Sequence, residues 1–128
     1  MIHHIAIYVS DLERMKDFYI KYFNGKSSGL YHNKNTGFKS YFITFSDNSK
    51  IELMQISSIS ESKSSAEKQF LGLAHIAFSV GSKEKVDNLT KLLIEDGFKL
   101  VSNPRITGDG YYESCVLDHE LNRIEITV

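Results

Sequence analysis

His4-Ile5-Ala6-Ile7-Tyr8-Val9 and His75-Ile76-Ala77-Phe78-Ser79-Val80 are variants of one six-residue phrase, and their recurrence decides how the chain is read. Each is followed by a Ser/Asp/Glu/Lys-rich opening and an amphipathic stretch. Each half then reaches an apolar segment carrying one glutamate, Ile51-Glu52-Leu53 in the first and Ile124-Glu125-Ile126 in the second. His4 precedes Glu52 by 48 positions and His75 precedes Glu125 by 50. The same two ligand-capable residue types at nearly the same spacing imply a tandem duplication of a unit of about 55 to 60 residues. The expected organisation is one domain over 1–128, with a first module at 1–56, a connector at 57–72 and a second module at 73–128. Residues 57–65 hold six serines and read as a solvated linker.

Within each half the apolar periodicity changes from two to 3.6. Ile5, Ile7 and Val9 alternate with His4, Ala6 and Tyr8, the pattern of a strand with one buried face. Ser10-Asp11 then offers an N-cap, Leu12, Met15, Phe18, Tyr19, Tyr22 and Phe23 form a helical stripe, and Asn24-Gly25 closes it. Strands are expected at about 26–31, 38–46 and 50–56, with a turn at Asp47-Asn48. The second half repeats the order: a strand at 73–80, a helix at about 83–96 ending at Asp96-Gly97, and strands at about 98–102, 110–117 and 122–128. The fold class is therefore α+β, built of tandem βαβββ modules that curl a mixed sheet around a groove.

Composition narrows the function. The chain has 128 residues, and 15 Lys+Arg against 16 Asp+Glu leave a net charge of -1, so no broad basic field exists to attract nucleic acid or anionic lipid. No run approaches the roughly 18 apolar residues of a membrane span. The single cysteine, Cys115, cannot make an internal disulfide, which fits a reducing, cytoplasmic setting. It reads as buried filler, because no basic neighbour in the sequence would activate it.

Strand alternation assigns the candidate ligands to one side. His4, Glu52, His75 and Glu125 all take the face opposite the aliphatic residues of their strands. Two imidazoles and two carboxylates suit a divalent first-row ion, Ni, Co or Zn, with Fe or Mn also accommodated. A dication would also offset the repulsion between two glutamates sharing a groove. Any one of these residues alone reads as an ordinary solvated side chain; the symmetric recurrence carries the assignment. The remaining histidines read as surface residues: His3 facing away from His4, His32 in a loop, and His119 in a turn.

The phrases His-Ile-Ala-Ile-Tyr-Val with Asp-Leu-Glu-Arg-Met-Lys-Asp-Phe-Tyr behind it, Leu-Ala-His-Ile-Ala-Phe-Ser-Val, and Asn-Arg-Ile-Glu-Ile resemble the vicinal oxygen chelate superfamily of glyoxalases, bleomycin-resistance proteins and extradiol dioxygenases. The chain looks most like the short bacterial glyoxalase I type, whose ligand order His, Glu, His, Glu falls on His4, Glu52, His75 and Glu125. The resemblance implies an octahedral site and a metal-dependent lyase or isomerase acting on the thiol adduct of a 2-oxoaldehyde. Glu125 would be the principal base, and Glu52 the catalytic carboxylate opposite it. Glutathione-using members carry an arginine and an asparagine where this chain has Tyr8 and Ile56. Together with Met54, Ala6 and Ala77 these imply a more apolar substrate pocket and a different thiol. The final turn, Asp118-His119-Glu120-Leu121-Asn122, also lacks the family's usual proline and glycine.

Alternatives remain within the same resemblance. One is a non-catalytic, bleomycin-resistance-like protein that sequesters a ligand, and another is an epimerase or a thiol transferase. Transferases of the fosfomycin-resistance type keep only His, His and Glu, which Glu52 exceeds; ring-cleaving dioxygenases are generally longer. In every version the partner is a small molecule, and a homodimer is expected.

Overall fold

The structure, a computed structural model, describes residues 1–128 and divides the chain into two compact units, Met1–Glu61 and Ser62–Val128. The first unit runs β1 (Ile5–Tyr8), α1 (Leu12–Phe23), β2 (Lys26–Ser27), β3 (Tyr31–His32), β4 (Lys39–Thr44) and β5 (Lys50–Gln55). The second runs β6 (Ile76–Ser79), α2 (Lys83–Glu95), β7 (Leu100–Ile106), β8 (Tyr112–Leu117) and β9 (Arg123–Thr127). The α+β class and the βαβββ order within each unit hold.

Both sheets have one plan. In the first the order is β1-β5-β4-β2, with β3 also on β4; in the second it is β6-β9-β8-β7. The opening strand of each unit lies parallel to the closing one, and the pairs match by position: Ala6 opposite Glu52, Ala77 opposite Glu125. The crossover helix between opening strand and sheet is what makes that parallel pairing possible.

Each helix begins and ends for identifiable reasons. Asp11 caps α1 by accepting a bond from Arg14 N at 3.0 Å, and Ser82 caps α2 by accepting one from Lys85 N at 3.2 Å. Asn24 supplies the left-handed residue after α1, at φ 53°. Gly25 has a different job, since a Cβ there would collide with Ile43 Cγ2. After α2 the left-handed residue is Gly97, at φ 91°.

The two cores differ. From α1, Leu12, Met15, Phe18, Tyr19 and Tyr22 bury against a sheet face that presents Tyr41, Ile43, Ile51 and Leu53. From α2, Val86, Thr90 and Leu93 meet Val116, Ile124 and Ile126. Thr90 Oγ1 donates to Val86 O at 2.6 Å and shares a second 2.6 Å hydrogen bond with Ser114 Oγ, so the polar atoms in this core are satisfied.

Three strand expectations are corrected. The strand expected at 26–31 is two short pieces, because Ser28 Oγ takes the bond from Phe42 N (3.0 Å) that a carbonyl would accept in a continuous ladder. His32, expected in a loop, therefore lies in β3. The strand expected at 98–102 extends to Ile106 with two register shifts; Asn103-Pro104 does not end it, because β7 is an edge strand, where a missing N–H costs little. The last turn works without glycine. Leu121 adopts φ 66°, and the buried Asp118 carboxylate accepts from Glu120 N, Asn122 N and Asn122 Nδ2, each at 2.9 Å.

Much of the serine-rich segment past residue 61 is tied to the second unit. Arg123 donates to Ser65 O (3.2 Å) and Ala66 O (2.8 Å), and Lys99 pairs with Glu67 at 2.8 Å. No helix is long and apolar enough to cross a membrane.

Candidate functional site

Each unit brings one histidine to one glutamate. In the first, His4 Nε2 lies 3.3 Å from Glu52 Oε2; in the second, His75 Nε2 lies 3.0 Å from Glu125 Oε2. Each histidine sits one residue ahead of its strand, and each glutamate stands in the adjacent strand, on the face away from the helix. The glutamates are the more covered partners, with side chains 16% and 20% exposed against 33% for His4 and 43% for His75.

Those distances fit shared coordination. Two donors each about 2.1 Å from an ion and at right angles to each other lie about 3.0 Å apart. Imidazole nitrogen and carboxylate oxygen are both accepted by divalent first-row metals. Neither unit by itself gathers three or more His, Cys, Asp or Glu side chains that could hold a metal; each brings together one imidazole and one carboxylate.

The surroundings of the pairs differ. His4 has its Nδ1 2.9 Å from His3 Nδ1 and its ring edge-on to Phe42 at 5.2 Å. His3 was expected to face away from His4; it does not, because β1 begins only at Ile5 and strand alternation does not govern residues 3 and 4. A partner on the second ring nitrogen is the usual way a ligating histidine is oriented. In the second unit, burial pushes the Glu125 carboxyl above its ordinary value, and the charges of Glu113 and Asp109 add to the rise while His75 and Arg105 oppose it.

Pairing register extends the two open faces beyond the predicted residues. In the first sheet Glu52 lies opposite Ala6 and Phe42, and Met54 lies opposite Tyr8 and Ser40, with Tyr31 beyond Ser40. Tyr8 is 47% exposed, Ala6 is exposed, and Met54 and Ile56 are half-buried. In the second sheet Glu125 lies opposite Ala77 and Cys115, while Thr127 lies opposite Ser79 and Glu113, with Arg105 beyond Glu113. Phe42, Arg105, Glu113 and Thr127 were not singled out in the sequence. Cross-strand register places Phe42, Arg105 and Glu113, whose strands carry no repeat that would have marked them, whereas alternation along β9 already puts Thr127 on the face of Glu125.

The other candidates stand differently. Cys115 shares the face of Glu125 but is buried, and burial raises its thiol, which disfavours the thiolate a nucleophile needs. His119 is half-buried with its ring 4.6 Å from Phe98, rather than on the surface, and His32 is exposed on β3. A cavity of about 350 Å³ lined by Ser10–Glu13, Leu30, Lys39 and Gln55 opens at the start of α1 and contains neither pair.

The chain is 28% identical over 133 residues to the uncharacterized protein YqjT of Bacillus subtilis (strain 168), covering 98% of this chain and 96% of that one. Its fold matches a glyoxalase family protein from Enterococcus faecalis with a TM-score of 0.80 at 22% identity, over 100% of this chain and 97% of the other. It also matches the fosfomycin resistance protein FosX from Listeria monocytogenes, complexed with Mn(II) and sulfate, with a TM-score of 0.71 at 20% identity, over 100% and 91%. The sequence pattern of one family spans residues 1–126. The chain belongs to the Glyoxalase/Bleomycin resistance protein/Dioxygenase superfamily.

Proposed function

We propose that the protein is a metal-dependent lyase or isomerase of glyoxalase I type, in which His4, Glu52, His75 and Glu125 together hold one divalent ion. The carrying observation is the duplicated pair: an Nε2 and an Oε2 at 3.3 Å in one unit and 3.0 Å in the other, on corresponding strands. The retention of Glu52 favours this reading over the three-ligand thiol transferases. The ion would supply Lewis acidity toward the oxygens of the substrate.

The substrate is the hemithioacetal of a 2-oxoaldehyde. The Glu125 carboxylate takes the proton from the carbon that bears both hydroxyl and sulfur, and returns it to the neighbouring carbon, yielding a 2-hydroxyacyl thioester. Its raised proton affinity suits a base that must hold that proton between the two steps. Glu52 stands as the opposite carboxylate. Ala6, Tyr8, Met54, Ile56 and Ala77 form the pocket wall, and their apolar character disfavours glutathione as the thiol. The ion is Ni, Co or Zn, with Fe or Mn as further candidates, and the protein works as a cytoplasmic homodimer.

The test is the metal content of protein purified without chelator, followed by turnover of methylglyoxal hemithioacetals made with several thiols under Ni, Co and Zn in turn. Stoichiometric metal that is lost in the Glu52→Gln/His75→Ala variant, with turnover of at least one adduct, supports the reading. Metal-free protein that still binds an aromatic compound would replace it with ligand sequestration. Sedimentation of a metal-filled monomer would remove the dimer and leave the ligand assignment standing.

A further inference from the structure

We infer that Arg123 is a positioning residue: it clamps residues 65–67 across the open face of the second sheet, one row from Glu125, and so bounds the room a substrate has beside that carboxylate. This deepens, and rests on, the reading of Glu125 as the proton-transfer group.

The clamp lies wholly within the second unit. Leu117 N donates to Lys99 O at 2.9 Å, and Leu117 in β8 lies opposite Arg123 in β9, so Lys99, Leu117 and Arg123 form one row. Residues in register share a face, and alternation puts this row about 7 Å along the strands from that of Cys115, Glu125 and Ala77. Arg123 Nη2 donates to Ser65 O at 3.2 Å and to Ala66 O at 2.8 Å, while Lys99 Nζ pairs with Glu67 at 2.8 Å. The segment is thus fastened on both sides of Leu117 and passes over it. The burial of this face agrees with that path: Leu117 and Cys115 point away from α2 and are still only 2% and 7% exposed. Thr44 and Phe42, their counterparts in the first sheet, are half-buried.

Arg123 is the firmer of the two fastenings. The Lys99–Glu67 pair is exposed at both ends, where water screens it. Arg123 is half-buried, and a charged donor to two carbonyls makes stronger hydrogen bonds than a neutral one. The clamped segment is itself compact, since Ser65 N donates to Lys68 O at 2.9 Å and Lys68 N donates to Ser65 Oγ at 3.1 Å. With it in place, the face beside Glu125 is walled on the Arg123 side and continues on the other toward Thr127 and Glu113. A substrate group reaching past about 7 Å in the first direction meets the wall.

Cys115, the single thiol, lies opposite Glu125 and reports on the clamp. The native protein is labelled with N-ethylmaleimide and with the bulkier N-(1-pyrenyl)maleimide. The parent is expected to react slowly, more so with the bulkier reagent, and Arg123→Met about tenfold faster with the size preference reduced. Burial raises the Cys115 thiol and the Arg123 charge opposes the rise, so losing that charge alone would slow labelling; a faster reaction reports opening. Arg123→Lys should stay near the parent. S64G/S65G/A66G/E67G loosens the segment without touching Arg123, and decides the question if a thermal melt shows Arg123→Met unfolded. On the metal-loaded protein, methylglyoxal adducts of 2-mercaptoethanol and of benzyl mercaptan test the bound on size. The parent is expected to favour the smaller adduct in kcat/KM, and both variants to shrink that preference about tenfold, through KM. Unchanged labelling, or faster labelling with an unchanged adduct preference, overturns the inference. If the parent turns over neither adduct, the proposed function fails separately, and the ratio of the two maleimide rates decides. A ratio that falls about tenfold in the variants upholds the clamp; an unchanged one overturns it.

Discussion

The two units share one strand plan, a short opening phrase and one pair of polar side chains, and differ in their cores and open faces. The first has an aromatic core under α1 and a largely aromatic open face. The second has a smaller aliphatic core under α2, with the Thr90–Ser114 hydrogen bond inside it, and a polar open face. Both keep the strand order, the parallel pairing of first and last strands, and a histidine Nε2 beside a glutamate Oε2. A core can be repacked freely so long as its volume and patterning survive. A pair of donors at a fixed separation cannot be exchanged for anything of similar size without losing its chemistry.

The largest expected effect breaks the apparent equivalence of the two pairs. Glu125→Gln should lower kcat of the metal-loaded protein about 10²- to 10⁴-fold, the range of a lost general base, and Glu52→Gln should cost less. Equal kcat losses, measured at matched metal occupancy, would make the halves catalytically alike.

A second test addresses the cores. Thr90→Val leaves Ser114 Oγ buried without its 2.6 Å partner, so urea denaturation should show a loss of about 1–3 kcal/mol. Adding Ser114→Ala should restore part of it, because the orphaned hydroxyl is then gone. A double variant worse than the single would mean that the pair does more than satisfy itself.

The smallest effect concerns pH. Glu125 has a folded value raised chiefly by burial, so between the ordinary glutamate value of 4.5 and that raised value the native state binds the proton and the unfolded chain does not. Stability of the metal-free protein should therefore fall as pH rises through this window. Glu125→Gln removes the slope, making the variant the more stable of the two at neutral pH, with the advantage vanishing below about pH 4. Thermal melts across pH measure it, and a variant less stable than the parent at neutral pH would contradict the burial argument.

The repeat, the two helices with their stripes, and the side of the sheet taken by Glu52 and Glu125 were legible in the residues, because period-two and period-3.6 alternation are local properties; His4 and His75, one residue ahead of their strands, were marked by the repeat and not by alternation. The splitting of 26–31 was not, since it depends on Ser28 meeting Phe42 across 14 positions. Nor was the continuation of β7 through Pro104, which follows from its place at the sheet edge.

Sequence alone thus determined that this chain is a doubled βαβββ unit with a glutamate on matching closing strands and a histidine just ahead of each opening strand. Tertiary structure decided what stands next to them: His3 against His4, Phe42 beside Glu52, and the row of Arg105, Glu113, Thr127 and Ser79 beside Glu125. The physical reason is that a strand's own alternation fixes which face a side chain takes, whereas its neighbour on that face is set by hydrogen-bond register with a segment far away in the chain.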